Sequence, residues 1–560
     1  MAIFQKDSVH ADYITDIWKK YDKGISYIQS KNLVRDTNEN WDFFLGDQWK
    51  GLESGEQRPV MMNFVHRDVT RVVTTIQSTT MAVNYTNADG STKFQDVYAK
   101  LSNHFSLCWE KSNQDVKMRQ MVKDAAVTGD GLQFFGTSDV ADVQRLDNTQ
   151  VLYGDESETN IQKQPYIIIH QRESVESVRK QAEVNGIDPE MIKMILPDDV
   201  TEYTIGNRDE VENEEMSKHH KVTTVIYMTK INGIVNVARS TKLVVYEPLH
   251  PIQSETADGK PLKGLTLYPI VKFSWEDRPN DARGVSFLKV YGQVNNQMEV
   301  NKIYERRGMT SKMTAYPRTA YIEDLVINPE ELEKVGKPIA LEEGQDASSV
   351  NQIISYLQPA QTNDEPRRLS DDIMETTQEL SGSGDTTTGN IDLNRVAASA
   401  IVAVNEKAES MLDEQKSKSK QAVEDMASLW IEMWFVYNPG GLEVIEEVEV
   451  PGDDGAIHTE RIPTTIGWEV LSQLKPRTRI DVSPDNSFTR ESCQAFLDSL
   501  LQKNLITLRQ YVQLVPDTAP VPKQAMLSMF DEEDKKAAMM PPVPPEGQVP
   551  QTPPSGMPPQ

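Results

Sequence analysis

Between residues 393 and 437 the chain contains neither Gly nor Pro. Leu393, Val396, Ala400, Val404, Ala408, Met411, Leu412, Ser419, Ala422, Val423, Met426, Trp430, Met433 and Tyr437 recur there at helical spacing. A single helix of that length would reach about 65 Å, which points to an elongated or assembled part more than to a pocket-bearing globule. Its middle, 414–420, is polar and predicts a bend or a solvent-facing stretch, and Pro439-Gly440-Gly441 ends it. Immediately before it lies the small-residue stretch 381–394, unlike anything else in the chain. Before that, 364–380 reads as a charged helix, with acids and Pro366 in its first turn as an N-terminus favours. Its apolar stripe is only Leu369, Ile373 and Leu380, so it is expected to lean on a partner or a neighbouring subunit.

Charge narrows the partners. The chain carries 58 Lys and Arg against 85 Asp and Glu, a formal charge of -27, which argues against a basic surface wrapped by nucleic acid. It leaves room for nucleic acid passing nearby without being gripped. The two cysteines, Cys108 and Cys493, make neither a disulfide framework nor a metal pattern and suit a reducing cytoplasm. The start has no apolar stretch of signal-peptide type, and no run approaches the roughly 18 apolar residues of a membrane span, so a non-secreted, non-membrane product is expected. Residues 531–560 are charged and then Pro-rich, a composition that predicts a disordered tail.

Along the chain, Val9, Tyr13, Ile17, Tyr21, Ile25 and Ile28 form the stripe of an amphipathic helix, and a second helix carrying Trp41, Phe44 and Leu45 stops at Gly46. The aromatic cluster of 41–49 reads as a core anchor, with a ligand cage as the rarer alternative. Phe64, Val65, Val69, Val72, Val73 and Ile76 predict a helix over 63–81, followed by helices over 93–111 and 115–128 and a Gly129-Asp130-Gly131 turn into a strand. That turn lacks the flanking Lys or acids of a phosphate or metal loop. Strands are expected at 165–170, 223–229, 234–237, 243–246 and 269–275, with helices at 173–185 and 189–195 between them. The adjacent His219 and His220 point in different directions in any regular element, so a shared metal is the minor reading.

Ser286 is a plausible N-cap for a helix running to 312, with Phe287, Leu288, Tyr291, Val294, Met298 and Ile303 on its apolar side. A compact piece, 313–360, separates it from the helix at 364–380. Strands at 442–450, 458–462 and 477–482 and helices at 492–503 and 508–514 close the folded part, the last opened by Thr507 and Gln510 as a capping box.

This order of parts resembles the portal proteins of tailed bacteriophages. The resemblance rests on Trp41, Gly46, Gln48 and Trp49, the helix into Thr128-Gly129-Asp130-Gly131, the strand at 268–275, the helix after Gly284, and a small domain, second helix, loop and long helix in succession. It covers roughly residues 40–515. It implies a helix-rich α+β protomer, elongated and ring-forming, with wing (1–284), first stem helix (285–312), clip (313–360), second stem helix (361–381), tunnel loop (382–392), long wing helix (393–437), wing strands (438–486) and crown (487–530).

Twelve such subunits would sit at one capsid vertex of a virion assembled in the host cytoplasm, as the channel through which DNA is packaged and ejected. Terminase, tail adaptors, and major capsid and scaffold proteins are the implied partners, and no cofactor is implied. Ser383, Asp385, Thr386, Thr387, Thr388 and Asn390 would face the DNA. Tyr321, Glu323, Asp324, Glu330 and Glu331 would lie on the clip docking surface. Lys302, Arg306 and Lys312 would be lumen or stem-interface cations, or else pair with acids such as Asp371 or Glu375 of a neighbouring stem helix. Twelve helices about 10 Å apart enclose a hole of roughly 28 Å, enough for a hydrated duplex.

Other classes leave weaker traces. The 381–394 loop invites a phosphate-cradle reading but lacks the Gly-Lys-Ser/Thr ending and follows a helix where a strand is needed. The zinc-protease, Cys-x-x-Cys and Gly-x-Ser-x-Gly patterns are missing, and Asp371-Asp372 and Asp453-Asp454 read as a helix surface and a turn. A different ring-forming adaptor or scaffold protein is the main alternative, and a metal-dependent nuclease a more distant one.

Overall fold

The computed structural model describes residues 9–49, 61–77, 79–89, 93–136, 139–140, 142–198, 221–255, 261–315, 318–332, 334, 337–344, 350–357, 364–382, 411–451, 457–474, 476–484 and scattered positions between 497 and 511. The fold is α+β, and its backbone contacts divide it into two compact units. The first comprises Met1–Gln77, Met81–Glu446 and Pro463–Val482; the second comprises Ser78–Thr80, Glu447–Ile462 and Ser483–Gln560.

Helices α1 (Val9–Ser30) and α2 (Leu33–Leu45) follow the apolar stripes, separated at the left-handed Asn32. Gly46, at φ +97°, ends α2 and returns its N–H to Asp42 O, a conformation that suits a residue without Cβ. Phe43 and Phe44 are buried and Trp41 meets Phe44 edge-on, which is the core role expected of the cluster. Helix α3 (Phe64–Ile76) is shorter than its pattern suggests. The chain switches at Thr79 to strand β1 (Thr79–Asn87), where Val83 and Tyr85 are buried between exposed neighbours, a period of two that the expected helix to 81 overlooked. Helices α4 (Gln95–Lys111) and α5 (Gln114–Thr128) then lead into β2 (Asp130–Phe134).

Strands β3 (Gln144–Leu146), β4 (Val151–Tyr153) and β5 (Tyr166–Ser174) precede α6 (Val175–Val184) and α7 (Pro189–Lys193). Strands β6 (Lys221–Ile231), β7 (Ile234–Ser240) and β8 (Val245–Pro251) follow. Strands β4 to β8 form one antiparallel five-stranded sheet in sequence order. Alternation sorts its faces. Ile167, Ile169, Ile226 and Met228 pack on one side, and Leu152, Ile168, Val225 and Tyr227 meet Ile17 and Ile28 of α1 on the other.

After β9 (Gln253–Glu255) and β10 (Pro261–Gly264), strand β11 (Ile270–Ser274) pairs with β2, Phe273 opposite Gly131 and Ser274 opposite Asp130. This crossing explains Gly129-Asp130-Gly131. A Cβ on Gly131 would lie 1.9 Å from Met121 O, and one on Gly129 would lie 2.3 Å from Gly284 O. Buried Asp130 accepts the Gly284 N–H at 3.0 Å and the Ser274 hydroxyl at 2.6 Å. Backbone meets backbone here, so the turn reading holds.

Ser286 caps α8 (Phe287–Val290) as expected, accepting the Lys289 N–H. The expected single helix is broken, because Gly292 sits at φ +61° and α9 (Gln293–Ala315) begins after it. Strand β12 (Arg318–Tyr321), α10 (Val350–Ile353), β13 (Ile354–Leu357) and α11 (Glu365–Leu380) follow. Between β12 and α10 lies a 3-10 turn, Pro329–Glu331.

Helix α12 (Asp413–Tyr437) holds the centre of the core: Trp430 stacks with Phe105 at 4.8 Å and approaches Phe135 and Trp434. Its start corrects the unbroken 393–437 reading, since Met411 and Leu412 form a turn with Leu412 buried outside helical geometry; 393–410 lies outside the described residues. The polar stretch 414–420 is not simply solvated either. Gln415 and Ser419 are buried, and Lys418 reaches Asp277 at 3.0 Å and Glu414 at 2.8 Å. Strands β14 (Leu442–Pro451) and β15 (Ile457–Ile466) form a hairpin, α13 (Trp468–Leu471) follows, and β16 (Pro476–Pro484) pairs with β1. Of the helices expected at 492–503 and 508–514, only isolated positions are described; the tail 531–560 lies outside the described residues.

Candidate functional site

The part that sets this chain apart is the antiparallel pair α9 and α11 with the small β12–β13 module between them. Its root is polar. The fully buried residues of α9 include Gln293, Gln297 and Asn301, at steps of four on one helix face, in place of the expected stripe in which Val294 and Met298 are only half-buried. Gln297 Oε1 accepts the Phe64 N–H at 3.0 Å and lies 3.4 Å from the Val65 N, so it supplies acceptors that the first turn of α3 cannot find in its own helix. Gln297 Nε2 donates to Met62 O at 2.7 Å and to Asn301 Oδ1 at 2.9 Å. Asn301 Nδ2 donates to Gln48 Oε1 at 2.6 Å, and Gln48 Nε2 to Phe43 O at 2.9 Å. One amide chain therefore ties α9 to the 41–49 segment and to α3.

Gln293 completes the face beside Asp68. Neither amide atom of Gln293 nor Asp68 Oδ2 completes a hydrogen bond of good geometry, yet the Gln293 amide is near enough to Asp68 to favour its ionised form. Asp68 is fully buried on α3, with Oδ1 held at 3.2 Å by Arg67 Nε. Burial pushes its carboxyl up to about 6, against the pull of Arg67 and Arg71.

Contact between α9 and α11 is also polar where it is deepest: Asn296 Nδ2 donates to Thr377 Oγ1 at 2.8 Å, and Ser370, Thr377 and Gln378 are the buried residues of α11. Of the expected α11 stripe, Ile373 packs against the core, while Leu369 and Leu380 stand 50% and 61% exposed. Beyond Ile303, α9 has no buried residue, and Met309 and Met313 are exposed. Past its tip the β12–β13 module has a core of three buried residues, Val326, Ile353 and Ile354. Tyr321, Ile322, Ile327 and Leu357 lie open around it.

The sequence-predicted residues fall as follows. Ser383, Asp385, Thr386, Thr387, Thr388 and Asn390 lie outside the described residues. Lys302 pairs with Glu299 of its own helix at 3.2 Å, and Arg306 and Lys312 are exposed on the same helix. Asp371 pairs with Arg367 at 3.8 Å within α11. Tyr321 ends β12, Glu323 and Asp324 form an exposed 3-10 turn, and Glu330 is exposed. Glu331 is half-buried and accepts from Asn328 Nδ2 at 2.7 Å. The amide ladder was not anticipated, although Gln293, Gln297 and Asn301 stand at i, i+4, i+8 in plain view.

Arg283 is held by both carboxylate oxygens of Glu156 at 3.0 Å, by Asn148 and by Val151 O. A cleft of about 760 Å³ lies between α12 and the end of β11, with Lys418 and Asp425 on its wall. Burial raises the Asp425 carboxyl pKa. Among the described residues, no group of three or more His, Cys, Asp or Glu could hold a metal ion, and no helix is long and apolar enough to cross a membrane.

No protein family matches the chain, and no curated protein does. Among solved structures it is similar to a chain in "Neck of native GTA particle computed with C12 symmetry", at 11% identity and a TM-score of 0.33, over 81% of this chain and 90% of that one. It is also similar to a chain in "Neck of empty GTA particle computed with C6 symmetry", at 12% identity and a TM-score of 0.35, over 83% and 98%. Likeness this loose carries no argument about fold or assembly.

Proposed function

We propose that the chain is the protomer of a portal-type ring: a structural conduit at a capsid vertex through which phage DNA is packaged and ejected. The observation that carries this reading is the sparse burial of the outer half of α9, of α11 and of the β12–β13 module. Among the described residues the β12–β13 module buries three core residues, and Met309, Met313, Leu369 and Leu380 are open. So few buried groups cannot offset the ordering entropy of these segments, and lateral packing of copies would cover what one copy leaves exposed. The sequence resemblance supports the same reading independently, in the order of wing, stem, clip, stem, loop and wing helix.

In this reading α9 and α11 are the stem, and residues 313–360 are the clip on which terminase and then tail adaptors dock. Residues 382–392 form a tunnel loop whose hydroxyls touch the DNA backbone softly, and the net charge of -27 keeps the duplex from being gripped. Lys302, Arg306 and Lys312 line the stem or its subunit interface.

Light scattering and native mass spectrometry of the purified chain test the assembly: a closed ring of about twelve copies with a central hole in stained images is expected. A stable monomer at micromolar concentration would overturn it. Deleting 386–389 should leave the ring intact and impair DNA packaging or retention; loss of the ring would make that segment a structural connection instead.

A further inference from the structure

The three buried amides at the root of α9 are not alike. Gln297 is fixed in one orientation, because its oxygen accepts the Phe64 N–H and its nitrogen donates to Met62 O; Asn301 is fixed likewise between Gln297 and Gln48. A half-turn of either would set donor against donor and acceptor against acceptor. Gln293 has no such constraint. It is fully buried, and neither its Oε1 nor its Nε2 completes a hydrogen bond of good geometry.

The group beside it can change its hydrogen-bonding character. Asp68, also fully buried, holds Oδ1 against Arg67 Nε at 3.2 Å and leaves Oδ2 without a bond of good geometry. An oxygen that already accepts from a guanidinium is the poorer proton acceptor, so Asp68 takes its proton on Oδ2. Ionised, Oδ2 only accepts; protonated, it donates. Arg67 and Arg71 of its own helix are the charges that bear on it, and α9 contributes the neutral Gln293, which favours the ionised form.

We propose that Gln293 reads the proton on Asp68 by turning its amide: Nε2 faces the carboxylate, Oε1 faces the carboxyl, and α9 keeps its place on α3 in both states. An amide suits this task because it carries a donor and an acceptor at the same reach, and a half-turn about its last bond exchanges them. The turn breaks no bond of good geometry elsewhere, in contrast to Gln297. Burial sets the Asp68 carboxyl at about 6, which puts the turn close to neutrality.

Gln293→Met keeps the volume and removes both polar atoms. Urea midpoints should show this variant less stable than the unaltered protein at pH 4.5 and at pH 7.5, because each form of Asp68 loses its partner. The loss in the folding equilibrium constant should be about tenfold larger at pH 7.5, since bonds to charged groups are the stronger ones and a one-unit rise in the carboxyl pKa is a factor of ten. With Asp68→Asn also present, the loss should be the same at both pH values. Equal losses with Asp68 intact would make Gln293 a packing residue, and a loss confined to pH 7.5 would make it a fixed donor; either result overturns the proposal. Hydrogen exchange on the unaltered chain tests it without a variant. Peptides covering 293–301 should keep the same protection relative to those of α5 on both sides of pH 6, and selective loosening of 293–301 at either pH would overturn it as well.

Discussion

Replacing Asp68 by Asn should stabilise the protein at neutral pH and do nothing in acid. Asp68 is fully buried on α3, with one oxygen held by Arg67 and the other without a partner. Burial raises its carboxyl from 3.8 to about 6. Because the folded-state value lies above the unfolded one, the folded protein holds the proton more tightly. The associated stability is fully present below about pH 4, falls as pH rises towards 6, and is gone above that. Two pKa units correspond to about 3 kcal/mol. The opposing pull of Arg67 is already contained in that shift, so Asp68→Asn should gain up to about 3 kcal/mol at pH 7.5. Urea midpoints of both proteins at pH 4.5 and 7.5 measure the difference. An equal effect at the two pH values, or destabilisation at pH 7.5, would refute the argument that an ionised Asp68 is the destabilising species.

Other parts of the structure give equally direct expectations. Gln297→Ala takes the side-chain partner from the Val65 N–H and from buried Asn301 Oδ1, while the Phe64 N–H keeps its bond to Met62 O at 3.0 Å, and should cost about 2 kcal/mol; a urea-midpoint change equivalent to under 1 kcal/mol would mean water replaces the amide. Gly131→Ala sets a Cβ against Met121 O and should abolish soluble expression, whereas normal expression and thermal melting would show that α5 and β2 can part. Gly308→Ala, in the interior of α9 with open space around it, should raise protomer stability by up to about 1 kcal/mol. If the same variant weakens ring formation on sizing columns, Gly308 is a point of close approach between copies.

The elements most legible in the sequence are those whose burial is apolar and periodic. Ile17 and Ile28 on α1, Val65 to Val73 on α3 and Ile167 to Ile169 on β5 announce both type and face, and the structure buries them so. Where burial is polar, pattern reading chose the wrong face: Val294 and Met298 outrank Gln293 and Gln297 on any hydrophobicity scale, yet the amides are inside. The stretch after 393 reads as one unbroken helix for a related reason. Missing Gly and Pro permit continuity but do not enforce it, and Leu412 turns out to be buried in a turn. Gly292 gave the opposite warning, and the break there was missed because the apolar spacing carries on through it.

That the root of α9 is polar has a mechanical consequence. An apolar face can slide by a turn and find nearly equal packing, because dispersion contacts are undirected. A buried amide cannot, because each displaced hydrogen bond leaves a donor or acceptor unpaired at about 1–3 kcal/mol. Four bonds from Gln297 and Asn301, to Phe64, Met62, Gln48 and each other, hold one register of α9 against the body. Among the described residues the outer half of the same helix has no comparable anchor, and its Met309 and Met313 stand exposed, with side chains that adapt to whatever covers them. A helix with a fixed root and an adaptable far end keeps its register against the body while that far end remains free to repack. Exchanging Gln297 and Asn301 for Leu should therefore preserve burial while releasing the register, separating stability from alignment in a way that truncation to Ala cannot.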